Sequence, residues 1–181
     1  SAAGFGIAFY MGTLTLLLPL HMELLGFAES RAGSVFSIFA IVAVIVMIFF
    51  GRLAKKGLLS TGFFAIGVGF AALSVGNSFG VIAFGMALYG LGFGLVYPTL
   101  NTQVAALYRP QERGRAYGIF YAFYSLGVVL APPLVGWLTG FVSHHTVYGL
   151  LAVAAGLASY LLYQFRRLLA AVPEKAGSTA V

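Results

Sequence analysis

The sequence predicts an all-α membrane protein with six transmembrane helices, and two properties of its composition lead to that class. Of 181 residues, 61% are hydrophobic and only 8% are charged, with a mean hydropathy of +1.00. Soluble domains carry roughly a quarter charged residues, so a water-soluble globular fold is excluded. Because backbone N–H and C=O groups must be satisfied internally in hydrocarbon, the long apolar runs are expected to be helices.

Six apolar runs separate the few polar segments, and most approach the ~20 residues that cross a hydrocarbon core. The expected spans are Gly4–Leu20, Ala32–Phe50, Leu59–Gly76, Phe79–Leu107, Ala116–Phe141 and Thr146–Phe165. The fourth and fifth runs exceed a straight crossing, so these helices are expected to tilt or to extend beyond the bilayer. The chain contains no cysteine, which excludes disulfides and thiolate metal sites within it.

The distribution of basic residues predicts the topology. Nine of the ten Lys and Arg residues follow the second, fourth and sixth runs, and Arg31 alone falls on the other side. Cytoplasmic segments carry such an excess of Lys and Arg, so both termini are expected in the cytoplasm. The expected location is a cell membrane (plasma or inner), with the lipid bilayer as a partner. The same pattern explains the net charge of +6 without a nucleic-acid partner.

Glycine pairs in the fourth and fifth runs predict close helix packing. Gly90 and Gly94, and likewise Gly136 and Gly140, have the small-xxx-small spacing that lets another helix approach. A dinucleotide-binding loop would need a strand before its glycines and a helix after them, in a soluble unit. The glycines of the fourth run lie inside an apolar span, so we interpret them as packing positions.

Prolines also lie inside two predicted spans, at Pro98 and at Pro132–Pro133. Proline cannot donate a hydrogen bond to the carbonyl four residues earlier, so both spans are expected to bend. Neighbouring groups or water satisfy the freed carbonyls in membrane helices. Such bends permit gating, and they also simply shape a bundle; the sequence leaves both roles open.

Three segments carry a resemblance to a known family. Arg109–Gly118 (RPQERGRAYG), which follows a glycine-rich span with a proline, resembles the loop between the fourth and fifth helices of a major facilitator superfamily half. Gly127–Gly136 (GVVLAPPLVG) is similar to that family's Gly-x-x-x-Gly-Pro-x-x-Gly-Gly motif, with two glycines replaced. Gly51–Lys56 (GRLAKK) is similar to the loop motif between the second and third helices, with Lys55 where the family has an acid.

The resemblance implies a secondary transporter that works by alternating access between two six-helix halves. The degraded loop motif and the end of the chain after the sixth span predict the C-terminal repeat of a twelve-helix bundle, with an N-terminal half absent from this sequence. Residues 1–171 would form the repeat, and residues 172–181 a disordered cytoplasmic tail. The family motifs imply gating or loop roles for Gly51, Arg52, Glu112, Arg113, Gly114, Gly127, Pro132 and Gly136.

Uncharged polar side chains supply the candidate substrate site. In the family, the first, second, fourth and fifth helices of each repeat line or border the cavity. The candidates on these helices are Tyr10, Thr13, Tyr97, Asn101, Tyr121, Tyr124 and Ser125, with Tyr117 one turn before Tyr121. Aromatic faces with hydroxyl groups suit an apolar or aromatic ligand whose orientation the hydroxyls fix. Packing between helices is the alternative explanation for the same pattern.

Ionisable side chains are absent from the interior of every predicted span. Catalysis would need a nucleophile beside a base, or metal ligands, so an enzyme is not expected, and neither a metal site nor a cofactor is predicted. His21, His144 and His145 lie at the outer ends of spans, where a surface position is expected and a proton-linked role is the alternative. If the intact protein is coupled to protons, the titrating group is expected in the missing half.

These features together favour export of a small lipophilic or amphipathic compound. The lining is aromatic and free of acids, and it lacks the basic residue that an anion would favour. Uptake of a sugar or an organic acid by the same fold is one alternative, and a non-transporting six-helix scaffold is another. The residues of this half do not specify the substrate, the coupling ion, the direction of transport or the oligomeric state.

Overall fold

The computed structural model describes residues 2–50 and 57–171, and these residues form six α-helices. The helices are α1 (Ala2–Leu24), α2 (Glu29–Phe50), α3 (Gly57–Ser74), α4 (Phe79–Leu107), α5 (Arg113–Thr139) and α6 (His144–Ala171). All six are long and apolar enough to cross a membrane, which confirms the predicted fold class. Gly51, Arg52 and the predicted tail at 172–181 lie outside the described residues.

Each predicted span overlaps one helix, but several helices extend further than hydropathy indicated. Helix α5 begins at Arg113, before the predicted start of its span, and α6 continues past Phe165 through Arg166 and Arg167. Hydropathy indicates only the part of a helix that lies in hydrocarbon. The backbone hydrogen bonds of an α-helix continue beyond that part, into the polar region, where the side chains are charged. The ends of a helix therefore differ from the ends of its apolar span.

Helix α4 is held on two sides by close backbone contacts at glycines. A Cβ added to Gly90 would lie 2.6 Å from the carbonyl oxygen of Phe39 in α2, which confirms the packing predicted for this glycine. A Cβ on Gly92 would lie 2.5 Å from the carbonyl oxygen of Gly62 in α3. Gly69 and Gly85 repeat that contact seven residues further along each antiparallel helix. Only glycine permits such close approach of two backbones.

Helix α1 packs in the same way against α5, but not through the glycine pair predicted there. A Cβ on Gly12 would lie 2.5 Å from the carbonyl oxygen of Val128, and one on Gly127 would lie 2.6 Å from that of Phe5. The pair predicted for close packing was Gly136 and Gly140, and this prediction was wrong. Gly136 has only a side-chain atom of Leu16 at 3.8 Å, and Gly140 ends the helix as its C-cap.

Helix α6 joins the bundle through α3. The hydroxyl of Ser60 donates to the carbonyl of Ser159 at 2.9 Å, and the hydroxyl of Ser159 donates back to the carbonyl of Ser60 at 2.9 Å. Two reciprocal bonds of this kind fix the register of two antiparallel helices in a medium without competing water. The C-terminal end of α3 is therefore held beside the N-terminal end of α6.

An aromatic core fills the centre of the bundle. The largest fully buried side chains include Tyr89, Tyr148, Phe63 and Phe70. Large apolar side chains on the outside of α2 and α5 are more than half exposed, among them Phe49 at 71% and Val129 at 67%. Such surfaces are not stable in water, and they fit contact with lipid or with further helices.

Candidate functional site

Five polar side chains of α4 and α5 meet on one face and form what we call the tyrosine–asparagine cluster. Its members are Tyr97, Asn101, Tyr117, Tyr121 and Tyr124. On each helix the members are three or four residues apart, and this spacing places them on one side of an α-helix. The structure shows that these two faces adjoin.

Asn101 is the centre of the hydrogen bonds in this cluster. Its side-chain amide donates to the carbonyl of Tyr97 at 2.9 Å, and its side-chain oxygen accepts from the hydroxyl of Tyr121 at 3.1 Å. Its backbone carbonyl accepts from the hydroxyl of Tyr117 at 3.0 Å. The hydroxyls of Tyr97 and Tyr121 are 3.3 Å apart. One asparagine therefore ties α4 to α5 and holds two phenols of α5, those of Tyr117 and Tyr121.

The cluster is open to its surroundings while its rings are held by other rings. Tyr121 is 41% exposed, and Tyr97 and Tyr124 are half-buried. Tyr97 stacks on Phe93 with ring centroids 5.4 Å apart, and it meets Tyr124 edge to face at 6.0 Å. A pre-arranged aromatic surface of this kind binds a planar apolar ligand without large rearrangement. Ser125 lies exposed beside it on α5.

The other two cavity candidates lie elsewhere. Thr13 is fully buried, and its hydroxyl donates to the carbonyl of Phe9 at 2.9 Å in its own helix. Tyr10 is 6% exposed, packs on Phe70 at 5.3 Å, and borders a cavity of about 280 Å³ between α1, α3 and α6. The structure does not place Tyr10 or Thr13 in the tyrosine–asparagine cluster. Ring contacts through Phe70, Tyr89 and Phe93 connect Tyr10 to it.

The loop motif between α4 and α5 borders a second cavity, of about 350 Å³. Glu112 and Arg115 line it together with apolar side chains, and the buried Phe120 lines it as well. The Phe120 ring is 5.3 Å from that of Tyr121 and 6.4 Å from that of Tyr124. This cavity therefore adjoins the tyrosine–asparagine cluster.

The remaining motif residues differ in their surroundings. Arg113 is exposed and its Nε–H donates to the carbonyl of Tyr108 at 3.4 Å, and Gly114 is exposed beside it. The charges of the two loops also suggest an ion pair between Glu112 and Arg52, Lys55 or Lys56; those three basic residues lie outside the described part of the chain, so this pairing stays a prediction. Helix α5 continues without interruption through the half-buried Pro132. The gating roles and the bends stay predictions as well.

Three histidines form a second polar site at the opposite end of the bundle. The ring of His21 lies 4.6 Å from that of His144 and 4.9 Å from that of His145, between centroids. His21 is fully buried, so the surface position predicted for it was wrong, while His144 and His145 are half-buried. We call these residues the histidine cluster. The available signal was that all three histidines of the chain fall at the same predicted end of spans one and six.

Fold and site together define a class of protein. The described helices carry charged side chains only near their ends, and a polar aromatic surface opens on one side of an apolar bundle. This is a multi-pass integral membrane protein with features suited to binding small molecules. A family model, the Major Facilitator Superfamily, matches residues 1–179, and the chain belongs to that superfamily.

Curated relatives and solved structures agree with this assignment. An uncharacterised MFS-type transporter of Salmonella typhimurium is 28% identical over 141 residues, which cover 76% of this chain and 36% of the relative. The quinolone resistance protein NorA of Staphylococcus aureus is 26% identical over 159 residues, which cover 84% of this chain and 41% of NorA. A crystal structure of the peptide transporter POT in complex with sulfate superposes with a TM-score of 0.78 at 27% identity, covering 91% of this chain and 36% of that one. The chain thus spans well under half the length of the relatives it matches.

Proposed function

We propose that the polypeptide carrying this chain is a secondary transporter that exports a small lipophilic or amphipathic compound. The observation that carries the proposal is the tyrosine–asparagine cluster. It presents partly exposed phenol rings and hydroxyl groups on a bundle that is otherwise apolar, and it contains no charged side chain. Such a surface favours a ligand with an aromatic body and a few hydrogen-bonding groups.

The expected ligand class follows from the ring geometry. Phenol faces attract both aromatic rings and diffuse organic cations, at about 0.5–2 kcal/mol for each contact. A simple carboxylate or a phosphate would need a cationic partner, and none belongs to the cluster. We therefore expect a planar amphipathic compound, neutral or cationic. A relative named for quinolone resistance supports this class of compound and supports export.

Uptake is the second candidate for the direction of transport. Solved structures of the peptide transporter POT share the fold of this chain, so a peptide is the substrate to weigh in this case. Peptides carry charged termini, and these are poorly matched to the uncharged cluster. Since one half of a transporter does not fix direction, the assay described below measures movement both ways.

The proposal includes a second six-helix half. The chain covers 36–41% of the relatives described above, and the outer sides of α2 and α5 expose large apolar residues. A partner half packed on these helices would enclose the tyrosine–asparagine cluster between the halves, as alternating access requires. Both termini would then lie in the cytoplasm. Coupling to protons would use a titrating group of the missing half, or, as the alternative, the histidines at the ends of α1 and α6.

Transport of a fluorescent aromatic cation tests this proposal. The intact polypeptide is reconstituted in liposomes, and dye movement is followed in each direction with and without an imposed pH gradient. Asn101→Leu and Tyr121→Ala are each expected to lower the initial rate by about tenfold, the effect of losing ~1.4 kcal/mol of binding. Tyr163→Ala is the matched control, because Tyr163 on α6 is 46% exposed and lies outside the cluster.

The outcomes distinguish a substrate-binding role of the tyrosine–asparagine cluster from a role in helix packing alone. Loss of transport in the two cluster variants, with normal transport in Tyr163→Ala and normal membrane insertion throughout, supports the assignment. Unchanged transport in both cluster variants contradicts it. A wild-type protein that moves no dye in either direction contradicts the proposed substrate class.

A further inference from the structure

We propose that the histidine cluster binds a transition-metal ion, with Zn²⁺ as the expected species. One ring nitrogen from each of His21, His144 and His145 lies within 4.8 Å of a ring nitrogen of each of the others. Zinc–nitrogen bonds are about 2.0–2.1 Å long, so nitrogens on one tetrahedral ion are about 3.4 Å apart. Small rotations of the two half-buried rings would close that difference. This inference does not depend on the proposed transport function.

The end of α1 is fixed just beyond His21. The N–H of Phe27 donates to the carbonyl of Met22 at 3.0 Å, and the N–H of Gly26 donates to that of Glu23 at 2.8 Å. Gly26 has a φ of +76°, a conformation that favours glycine. These are the bonds of a Schellman motif, which terminates a helix in a defined geometry. His21 is therefore placed by a rigid helix end.

An N-cap fixes the start of α6. The hydroxyl of Ser143 accepts from the N–H of Thr146 at 3.2 Å, as an N-cap residue does. It also lies 2.9 Å from the hydroxyl of Thr146. His144 and His145 are the first two residues of the helix that this cap begins. Capping fixes the backbone that carries both rings, and these rings lie 4.6 Å and 4.9 Å from that of His21 on α1.

His145 already has the outer partner that metal-binding histidines use. Its Nδ1 lies 2.8 Å from the carbonyl oxygen of Ser74, the last residue of α3, and a carbonyl only accepts, so Nδ1 carries the proton. The neutral ring then presents Nε2 as a lone-pair donor. A carbonyl on the second ring nitrogen fixes the tautomer and orientation of ligating histidines in known metal sites.

His21 supplies the independent evidence that something binds here. It is fully buried, and neither of its ring nitrogens makes a well-formed hydrogen bond to a described residue; the backbone carbonyl of Gly76 is near enough only for a weak contact. A buried polar atom without a partner costs about 1–3 kcal/mol. The hydroxyls of Tyr89 and Tyr148 are also buried without a partner, and His21 differs from them in having two further imidazole rings beside it. The Tyr148 ring closes the other side at 5.6 Å, so the free nitrogens have few directions other than the cluster.

The helix ends favour a cation at this position. His21 lies one turn from the C-terminal end of α1, and the C-terminal end of α3 contacts His145. Each C-terminal end carries roughly half a negative charge, and the N-terminal end of α6 carries roughly half a positive one. Two negative ends outweigh one positive end. Imidazole donors without a carboxylate suit Zn²⁺, Cu²⁺ or Ni²⁺ better than Mg²⁺ or Ca²⁺.

A bound ion would connect parts of the bundle that otherwise pack separately. Helix α1 packs mainly on α5, and α6 packs mainly on α3. An ion held by His21 on α1 and by His144 and His145 on α6 would clamp these two pairs at one end. The consequence is a metal-dependent restraint on any relative movement of the pairs.

Direct metal binding tests the proposal. The intact polypeptide is purified with a tag that contains no histidine, stripped with chelator, and titrated with Zn²⁺ in competition with a chromophoric chelator. We expect one Zn²⁺ for each chain at this site. His21→Gln and His145→Gln are each expected to weaken binding at least about tenfold, since even outer-shell changes cost 10–100-fold. Co²⁺ in place of Zn²⁺ is expected to give a visible spectrum of tetrahedral or five-coordinate nitrogen ligation.

Glu23→Gln is the matched control, because Glu23 is an exposed potential ligand near His21 that is not part of the cluster. It is expected to leave the affinity unchanged. If His21→Gln fails to fold, the half-buried His144→Gln and His145→Gln variants carry the same test. No Zn²⁺ bound by the wild type, or equal binding by the variant that lacks all three histidines, would overturn the proposal.

Discussion

The two polar clusters of this bundle differ in how their polar atoms are satisfied. In the tyrosine–asparagine cluster, Asn101 gives and receives hydrogen bonds, and its neighbour Tyr121 is 41% exposed. In the histidine cluster, His21 is fully buried and neither of its ring nitrogens makes a well-formed hydrogen bond to a described residue. The first cluster is complete without a ligand, and the second is incomplete.

This difference indicates two kinds of binding. A surface whose internal bonds are already made offers rings and hydroxyl groups to many related molecules, and it gains affinity from stacking. A buried site with free lone pairs selects for one kind of partner, because only an ion or a donor in the right place removes the cost of about 1–3 kcal/mol for each unpaired atom. The first suits a transported compound that must leave again, and the second suits a resident ion.

The largest expected effect concerns the histidine cluster. His21→Leu removes two unpartnered nitrogens, so in chelator the variant is expected to be as stable as the wild type or more stable. In Zn²⁺ at 100 times its dissociation constant, the wild type gains about 2.7 kcal/mol and the variant gains nothing. Thermal unfolding in detergent, with chelator and with Zn²⁺, measures both. Equal stabilisation of the two proteins by Zn²⁺ would contradict the assignment of the ion to the histidine cluster.

The next largest effect concerns the close packing of α3 against α4. In Gly92→Ala the new Cβ would lie 2.5 Å from the Gly62 carbonyl oxygen, so α3 and α4 must separate. Overpacking of this kind costs about 1–3 kcal/mol. The control is Gly80→Ala on the same helix, where a Cβ has no atom within 4 Å. Unfolding temperatures that are the same in both variants would contradict the close crossing.

The smallest expected effect concerns the hydroxyl of Tyr121 in the tyrosine–asparagine cluster. Tyr121→Phe keeps the ring but loses the hydroxyl that donates to Asn101 at 3.1 Å. This internal bond holds the ring in position for stacking and contributes about 1 kcal/mol, so we expect its loss to raise the concentration for half-maximal transport by at most about fivefold, with little change in maximal rate. Tyr163→Phe on α6 serves as the control. If the phenylalanine variant loses as much as the alanine variant, the hydroxyl rather than the ring dominates binding.

The sequence predicted the architecture well, because hydropathy and charge act through the solvent. Apolar runs located all six helices, and the spacing of Gly90 and Gly94 predicted a close contact with another helix, which the structure shows to be α2. The α3–α4 contact was missed, although Gly62 and Gly69 have the same seven-residue spacing as Gly85 and Gly92. That spacing becomes informative only once the two helices are known to be antiparallel neighbours.

The candidate site was predicted in part, and the limit was the relative position of helices. Periodicity places Tyr97 and Asn101 on one face of α4, but it does not say which helix that face meets. The meeting of His21 with His144 depends on residues 123 positions apart in sequence, held together by two helix ends. Burial of His21 was missed for the same reason, because a residue near a helix end is exposed only if no other helix covers it.

The measurement that tests the central claim most directly is protection of a single cysteine by substrate. The chain has no cysteine, so Ser125→Cys introduces a unique thiol into it beside the cluster while every ring of the cluster is kept, and Tyr163→Cys provides the control. The account predicts that a transported aromatic cation slows thiol labelling at position 125 and leaves position 163 unchanged, measured against the unsubstituted protein. Equal labelling of position 125 with and without the transported compound would contradict a substrate path along α4 and α5.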